Sequence, residues 1–150
     1  KGKSVLGTSS KISGANLYSR LNYWIVKCGG AALSAPPTLV GVEAPCEADL
    51  SLTADSFTFQ LPDPPAETAD LKLVIMASAP QSKGVTKAYS KAVMIGSPRT
   101  IVEEAINIKA DYEAVHGAVT TAAPKVFLRY FFVNTKTGEK SGEMLGQISL

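Results

Sequence analysis

The sequence predicts an all-β sandwich of about seven strands, preceded by a basic arm and one short α-helix. Three observations carry that expectation. From Ala35 onward, short apolar or alternating runs are separated by Pro, Gly, Asn and Asp turn residues. One run, LKLVIMA at residues 71 to 77, is apolar on both faces, as a central strand must be. Another, KVFLRYFFVN at residues 125 to 134, is long and dense in aromatic and aliphatic residues. At 150 residues the chain has the length of about one domain, enough to bury a core of its own.

Taken in order, residues 1 to 13 (KGKSVLGTSSKIS) are rich in Gly, Ser and Lys and read as a flexible arm. Residues 14 to 28 (GANLYSRLNYWIVKC) read as a helix, with Leu17, Leu21, Trp24, Ile25 and Cys28 on one face of a 3.6-residue period. Ser13 suits its N-cap and Gly29-Gly30 its stop. Trp24, the only Trp, is expected to pack this helix onto the rest of the chain. The arm and helix, 1–34, are read as one unit and the sandwich, 35–150, as the other.

Within the sandwich, Pro36-Pro37 opens a first strand over Thr38 to Glu43. Leu50, Leu52, Phe57, Phe59 and Leu61 alternate in a single run that Pro62, Pro64 and Pro65 end, since proline cannot continue a ladder. Residues 71–77 are a central strand, Tyr89 to Ile95 a fourth extended segment and Ile106–Lys109 a short fifth. One helical turn at Asp111–Val115 comes next, closed by Gly117. Residues 125–134 form the sixth strand and 142–150 the seventh. On the sixth, Val126, Leu128, Tyr130 and Phe132 share one face, and Phe127, Arg129, Phe131 and Val133 the other.

Composition is that of a globular chain, 45% apolar and 19% charged, and no apolar run is long enough for a transmembrane helix. Lys1 opens the chain without an initiator Met or a signal-peptide pattern, as in a processed chain or a piece of a longer one. Net charge is only +2, but it is segregated. Residues 1 to 42 hold Lys1, Lys3, Lys11, Arg20 and Lys27 and no acid; residues 43 to 70 hold Glu43, Glu47, Asp49, Asp55, Asp63, Glu67 and Asp70 and no base. Two readings fit: the patches meet within one molecule or are simply solvated, or they meet between copies.

Catalytic constellations are absent from the sequence pattern. His116 is the only histidine, and Asp111 and Glu113 near it read as a polar turn on the rim of the sandwich rather than as a catalytic or metal-binding set. Glu103 and Glu104 are adjacent and point to different faces. Neither GxxxxGK[ST] nor GxGxxG occurs. Cys28 and Cys46 show no zinc spacing; a buried Cys28 thiol is expected, with a Cys28–Cys46 bridge as the alternative for an exported chain. No cofactor and no metal are expected. Nucleic acid is not the expected partner, because five cations over 27 residues are dilute and Trp24 lies on the packed face.

The stretch KVFLRYFFVNTKTGEKS resembles the last two strands of fibronectin type III domains, where an aromatic strand leads through an Asn/Gly loop into the final strand. APPTLVGVEA, residues 35 to 44, is similar to that family's proline-led first strand. Where the family carries a Trp in its second strand, this chain has Phe57 or Phe59. The resemblance spans residues 35 to 150 and implies an immunoglobulin-like sandwich. SGANLYSRLNYWIVKCGGAALSAPPTL, residues 13 to 39, resembles a segment of uncharacterised phage and prophage proteins, which implies a structural protein of a virion or mobile element.

The expected function is therefore non-enzymatic: protein–protein assembly, self-association or a larger array, through Leu17, Arg20, Leu21, Trp24, Ile25 and Lys27. The alternative is a carbohydrate- or ligand-binding module at a bacterial cell surface, which requires a row of exposed aromatic rings on the final strands.

Overall fold

Leu73, Ile75 and Ala77 on one strand lie beside Phe132, Tyr130 and Leu128 on its neighbour, and this shared face is buried. The alternation of a strand sends every second side chain to one side, so both strands commit half of their apolar residues to the same core. The computed structural model describes residues 14–31, 33, 39, 41–65 and 69–150, with side chains in the first helix described from Arg20 onward. The expected arm and the opening Pro36-Pro37 lie outside these residues.

The elements are α1 (Gly14–Lys27), β1 (Asp49–Leu52), β2 (Phe57–Gln60), β3 (Leu71–Ala77), β4 (Val93–Met94), β5 (Ile106–Asn107), α2 (Lys109–His116), β6 (Lys125–Asn134) and β7 (Met144–Ser149). Two antiparallel sheets result, a three-stranded one ordered β1-β2-β5 and a four-stranded one ordered β4-β3-β6-β7. This is an all-β sandwich with two short helices. Between the sheets, Phe57, Phe59 and Leu61 meet Leu73, Ile75, Val126, Leu128, Tyr130 and Phe132 in one cluster. Phe59 stands edge-on to Tyr130, with ring centroids 5.0 Å apart.

Seven strands are expected and seven form among the described residues, but two differences offset each other. The expected first strand, Thr38 to Glu43, is not a strand at Leu39 or from Gly41 to Glu43, the part of it that is described. Gly41 has φ +79°, outside the extended region, and its N–H donates to the Glu139 carboxylate rather than to a ladder. The expected single run from Leu50 to Leu61 is instead a hairpin, β1 and β2. Thr53 turns it: its N–H donates to the Ser56 carbonyl at 2.8 Å and its Oγ1 accepts from the Ser56 N–H at 3.1 Å. The expected segment from Tyr89 to Ile95 is a 3-10 turn, Tyr89–Lys91, leading into the two-residue β4. The helical turn expected at Asp111–Val115 is present within α2.

Helix α1 lies on the outer face of the four-stranded sheet. Val74, Phe131 and Val133 point outward there, and Trp24 and Cys28 pack against them with Met76 and Met94. The helix ends where Gly29 takes φ +87° and Gly30 N–H returns to the Ile25 carbonyl, as only a glycine-rich stop allows without strain. Gly138, φ +79°, lets the β6–β7 turn touch α1: a Cβ there would collide with the backbone of Leu21. Both cysteines are free thiols. Cys28 packs on the outer cluster and Cys46 on the inner one, so the sheet separates them. Burial pushes the Cys28 thiol pKa up, with Lys72 opposing.

Candidate functional site

The outward faces of α1, β3, β4 and β6 leave an open groove of about 310 Å³. One wall is α1, through Tyr23, Trp24 and Lys27; the floor is Met76, Met94 and Phe131; Val93, Arg129, Lys140 and Glu143 complete it. The sheet register builds this arrangement, since Met76 pairs with both Met94 and Arg129 across its two neighbours. Trp24 is edge-on to Phe131 at 5.2 Å and to Tyr23 at 5.0 Å. Tyr23 and Val93, at 54% and 45% exposure, are the groove's solvent-facing apolar residues.

The groove is basic. Glu143 takes a two-pronged contact from Arg129, Nε to Oε1 at 3.1 Å and Nη2 to Oε2 at 2.8 Å, and a further one from the Lys140 ammonium at 2.7 Å. These bonds hold the Glu143 carboxyl below the usual carboxylate range, against the opposing effect of burial. Lys140 sits 4.5 Å from the Phe131 ring centre and Lys27 5.7 Å from that of Tyr23. Three cations thus line the groove against one carboxylate.

A second hollow of about 620 Å³ lies at the other end of β3, lined by residues 41–46, Asp63, Pro64, Pro65, Leu71 and Phe132. It is acidic, through Glu43 and Asp63. Nearby, the N–H of Ala48 donates to the Tyr130 hydroxyl at 2.7 Å, which ties the irregular 41–48 segment to the core.

The residues expected to meet a partner divide. Arg20 and Lys27 are exposed, and among the described residues neither forms an ion pair. Trp24 is half-buried on the sheet and lines the groove. Leu21 and Ile25, at 7% and 3% exposure, are covered by the chain's own fold. The Leu17 side chain lies outside those described. Arg129, Lys140, Glu143, Met76 and Met94 were not singled out from the sequence, because only the sheet register and the β6–β7 turn bring them to α1.

Asp111, Glu113 and His116 do not converge. Asp111 pairs with Arg99 at 3.0 Å and Glu113 with Lys109 at 2.8 Å. A ring nitrogen of His116 lies 2.8 Å from the Ala77 carbonyl, which only accepts, so that nitrogen is the donor. Tyr112 beside it donates to the Ser78 carbonyl at 2.7 Å, and burial raises its pKa. The rings of β6 offer no exposed platform either: Phe127, Tyr130, Phe131 and Phe132 are all buried.

Comparison with protein-family models, with curated proteins and with solved structures finds no match.

Proposed function

We propose that this chain is a non-enzymatic structural protein that works by associating with further copies of itself. The observation that carries the reading is the placement of unpaired charge. Glu43, Glu47, Asp49, Asp55 and Asp63 are exposed, and among the described residues none forms an ion pair. Arg20 and Lys27 are likewise unpaired on α1. Asp49 projects from the outer face of the three-stranded sheet, since its neighbours Leu50 and Leu52 pack against the core. Helix α1 covers the outer face of the other sheet. Two layers and the core lie between Asp49 and α1, so the attraction between these two charged faces is satisfied between molecules rather than within one. A basic surface meeting a distinct acidic surface is a heterologous contact, which repeats into rings or open arrays.

The same reading takes the sandwich as immunoglobulin-like, of the fibronectin type III kind. Its support is the strand order: the first, second and fifth strands form one sheet, while the third pairs with the sixth, the sixth with the seventh, and a short fourth strand lies beside the third. The partners already held by Asp111, Glu113 and His116 support a role without catalysis.

Light scattering over a concentration series tests the assembly. A mass above monomer is expected, rising with concentration and falling as salt shortens the reach of the charges. A monomer at every concentration and salt overturns the reading.

A further inference from the structure

We propose that the basic groove beside α1 receives the Pro62-Asp63-Pro64-Pro65 segment of a second copy; this rests on the self-assembly reading and gives it an address. Three features of the groove select such an occupant. Its walls are Tyr23, Trp24 and Phe131 with Met76 and Met94, and aromatic-lined grooves take proline segments, whose rings fix φ and leave the chain little freedom to lose on binding. Thioether side chains adapt to the irregular outline of the rings. The indole N–H of Trp24 has no hydrogen-bond partner among the described residues, and an indole nitrogen only donates. A proline segment supplies what that donor needs, carbonyl oxygens with no competing N–H at Pro64 and Pro65.

Charge points the same way. Lys27, Arg129 and Lys140 face the single carboxylate of Glu143, so the groove carries an excess of positive charge. Asp63 is exposed and unpaired among the described residues, and it sits between the prolines. Binding places it against the unpaired Lys27 at the mouth.

The segment cannot fill its own groove. It lies with Leu71 and Phe132, whereas the groove lies with Met76 and Phe131. Leu71 and Met76 are five residues apart on β3, roughly 17 Å at strand rise. Phe131 and Phe132 are neighbours on β6 and face opposite sides of the sheet. Donor and acceptor therefore sit at opposite ends and on opposite faces, and each copy has one of each to offer.

A charge exchange tests the contact by sedimentation velocity. Lys27→Glu and Asp63→Lys, both at exposed positions, are each expected to weaken self-association at least about tenfold. The double variant Lys27→Glu/Asp63→Lys is expected to recover most of that loss. A synthetic Pro-Asp-Pro-Pro peptide added to the unaltered protein is expected to compete, which reads the same contact without any substitution. If both single variants associate like the unaltered protein, or the double variant associates no better than the singles, this contact is wrong while self-assembly stands. If the peptide does not compete, the proline segment is not the occupant. If the unaltered protein does not associate at all, the self-assembly reading fails and this contact with it.

Discussion

Trp24 stands edge-on to Phe131, with ring centroids 5.2 Å apart and planes at 79°, and through this contact α1 is held on the outer face of the four-stranded sheet. Phe131 is fully buried although it points away from the sandwich core. The helix is what buries it, so helix and sheet stabilise each other. Phe131→Ala is expected to cost about 3–5 kcal/mol in denaturant unfolding. A double-mutant cycle with Trp24→Ala is expected to give a coupling of about 0.5–1.5 kcal/mol. Additive effects of the two substitutions would show that the rings do not act as a pair.

Gly138 and Gly117 share φ +79°, but they differ in what surrounds them. A Cβ at Gly117 meets nothing within 4 Å, whereas one at Gly138 enters the backbone of Leu21. Each substitution to Ala carries the strain of a positive φ, about 1–3 kcal/mol. Gly138→Ala is expected to cost about 1–3 kcal/mol more, because α1 must move. Trp24, the only Trp, reports that movement: its emission is expected to shift to the red in Gly138→Ala and not in Gly117→Ala. Equal unfolding midpoints for the two variants would contradict the close approach.

Much of this fold was legible. The alternation of β6 assigned Val126, Leu128, Tyr130 and Phe132 to the inner face and Phe131 and Val133 to the outer face, as observed, and the bounds of β3 and β6 are those expected. Both strands satisfy their backbone in a ladder, so local pattern and global structure agree. The expected strand from Thr38 to Glu43 misleads because its pattern is strand-like while, in its described part, the Gly41 N–H goes to a carboxylate, as further on the Ala48 N–H goes to the Tyr130 hydroxyl. Leu50 to Leu61 hides a turn because Thr53, Asp55 and Ser56 carry no Gly or Pro to announce it. The groove was not legible at all. Its residues run from Tyr23 to Glu143, and no sequence window contains the register that joins them.

Glu143 gives the fold an acid sensitivity of known sign. Its hydrogen bond from Arg129, helped by Lys140, depresses its pKa in the folded state. The ionised form is therefore favoured by folding. Its contribution is fully present above the ordinary carboxylate range, about pH 4.3, and is lost as pH falls toward and through the depressed folded value. Glu143→Gln is expected to lower stability at pH 7 and to flatten the decline of the melting temperature below about pH 4.5. An unchanged acid limb in that variant would mean that other carboxylates dominate it.

The end of β3 depends on α2. Tyr112 is buried against Phe57, with ring centroids 5.5 Å apart, and its hydroxyl donates to the Ser78 carbonyl. Ser78 is itself buried; its N–H donates to the Phe127 carbonyl and its Oγ accepts from the Phe127 N–H. Removing the Tyr112 hydroxyl leaves one lone pair of a buried carbonyl unmet but keeps the ring in place. Tyr112→Phe is thus expected to cost about 1–2 kcal/mol, and Tyr112→Ala about 3–5 kcal/mol, through the cavity it opens beneath Phe57. Hydrogen exchange distinguishes the two losses. In Tyr112→Phe the faster exchange is expected to be confined to the end of β3 and the start of β6, around Ser78 and Phe127. In Tyr112→Ala it is expected to extend to Phe57 on β2. A Tyr112→Phe variant as stable as the parent would show that water replaces the hydroxyl and that α2 holds the strand end by packing alone.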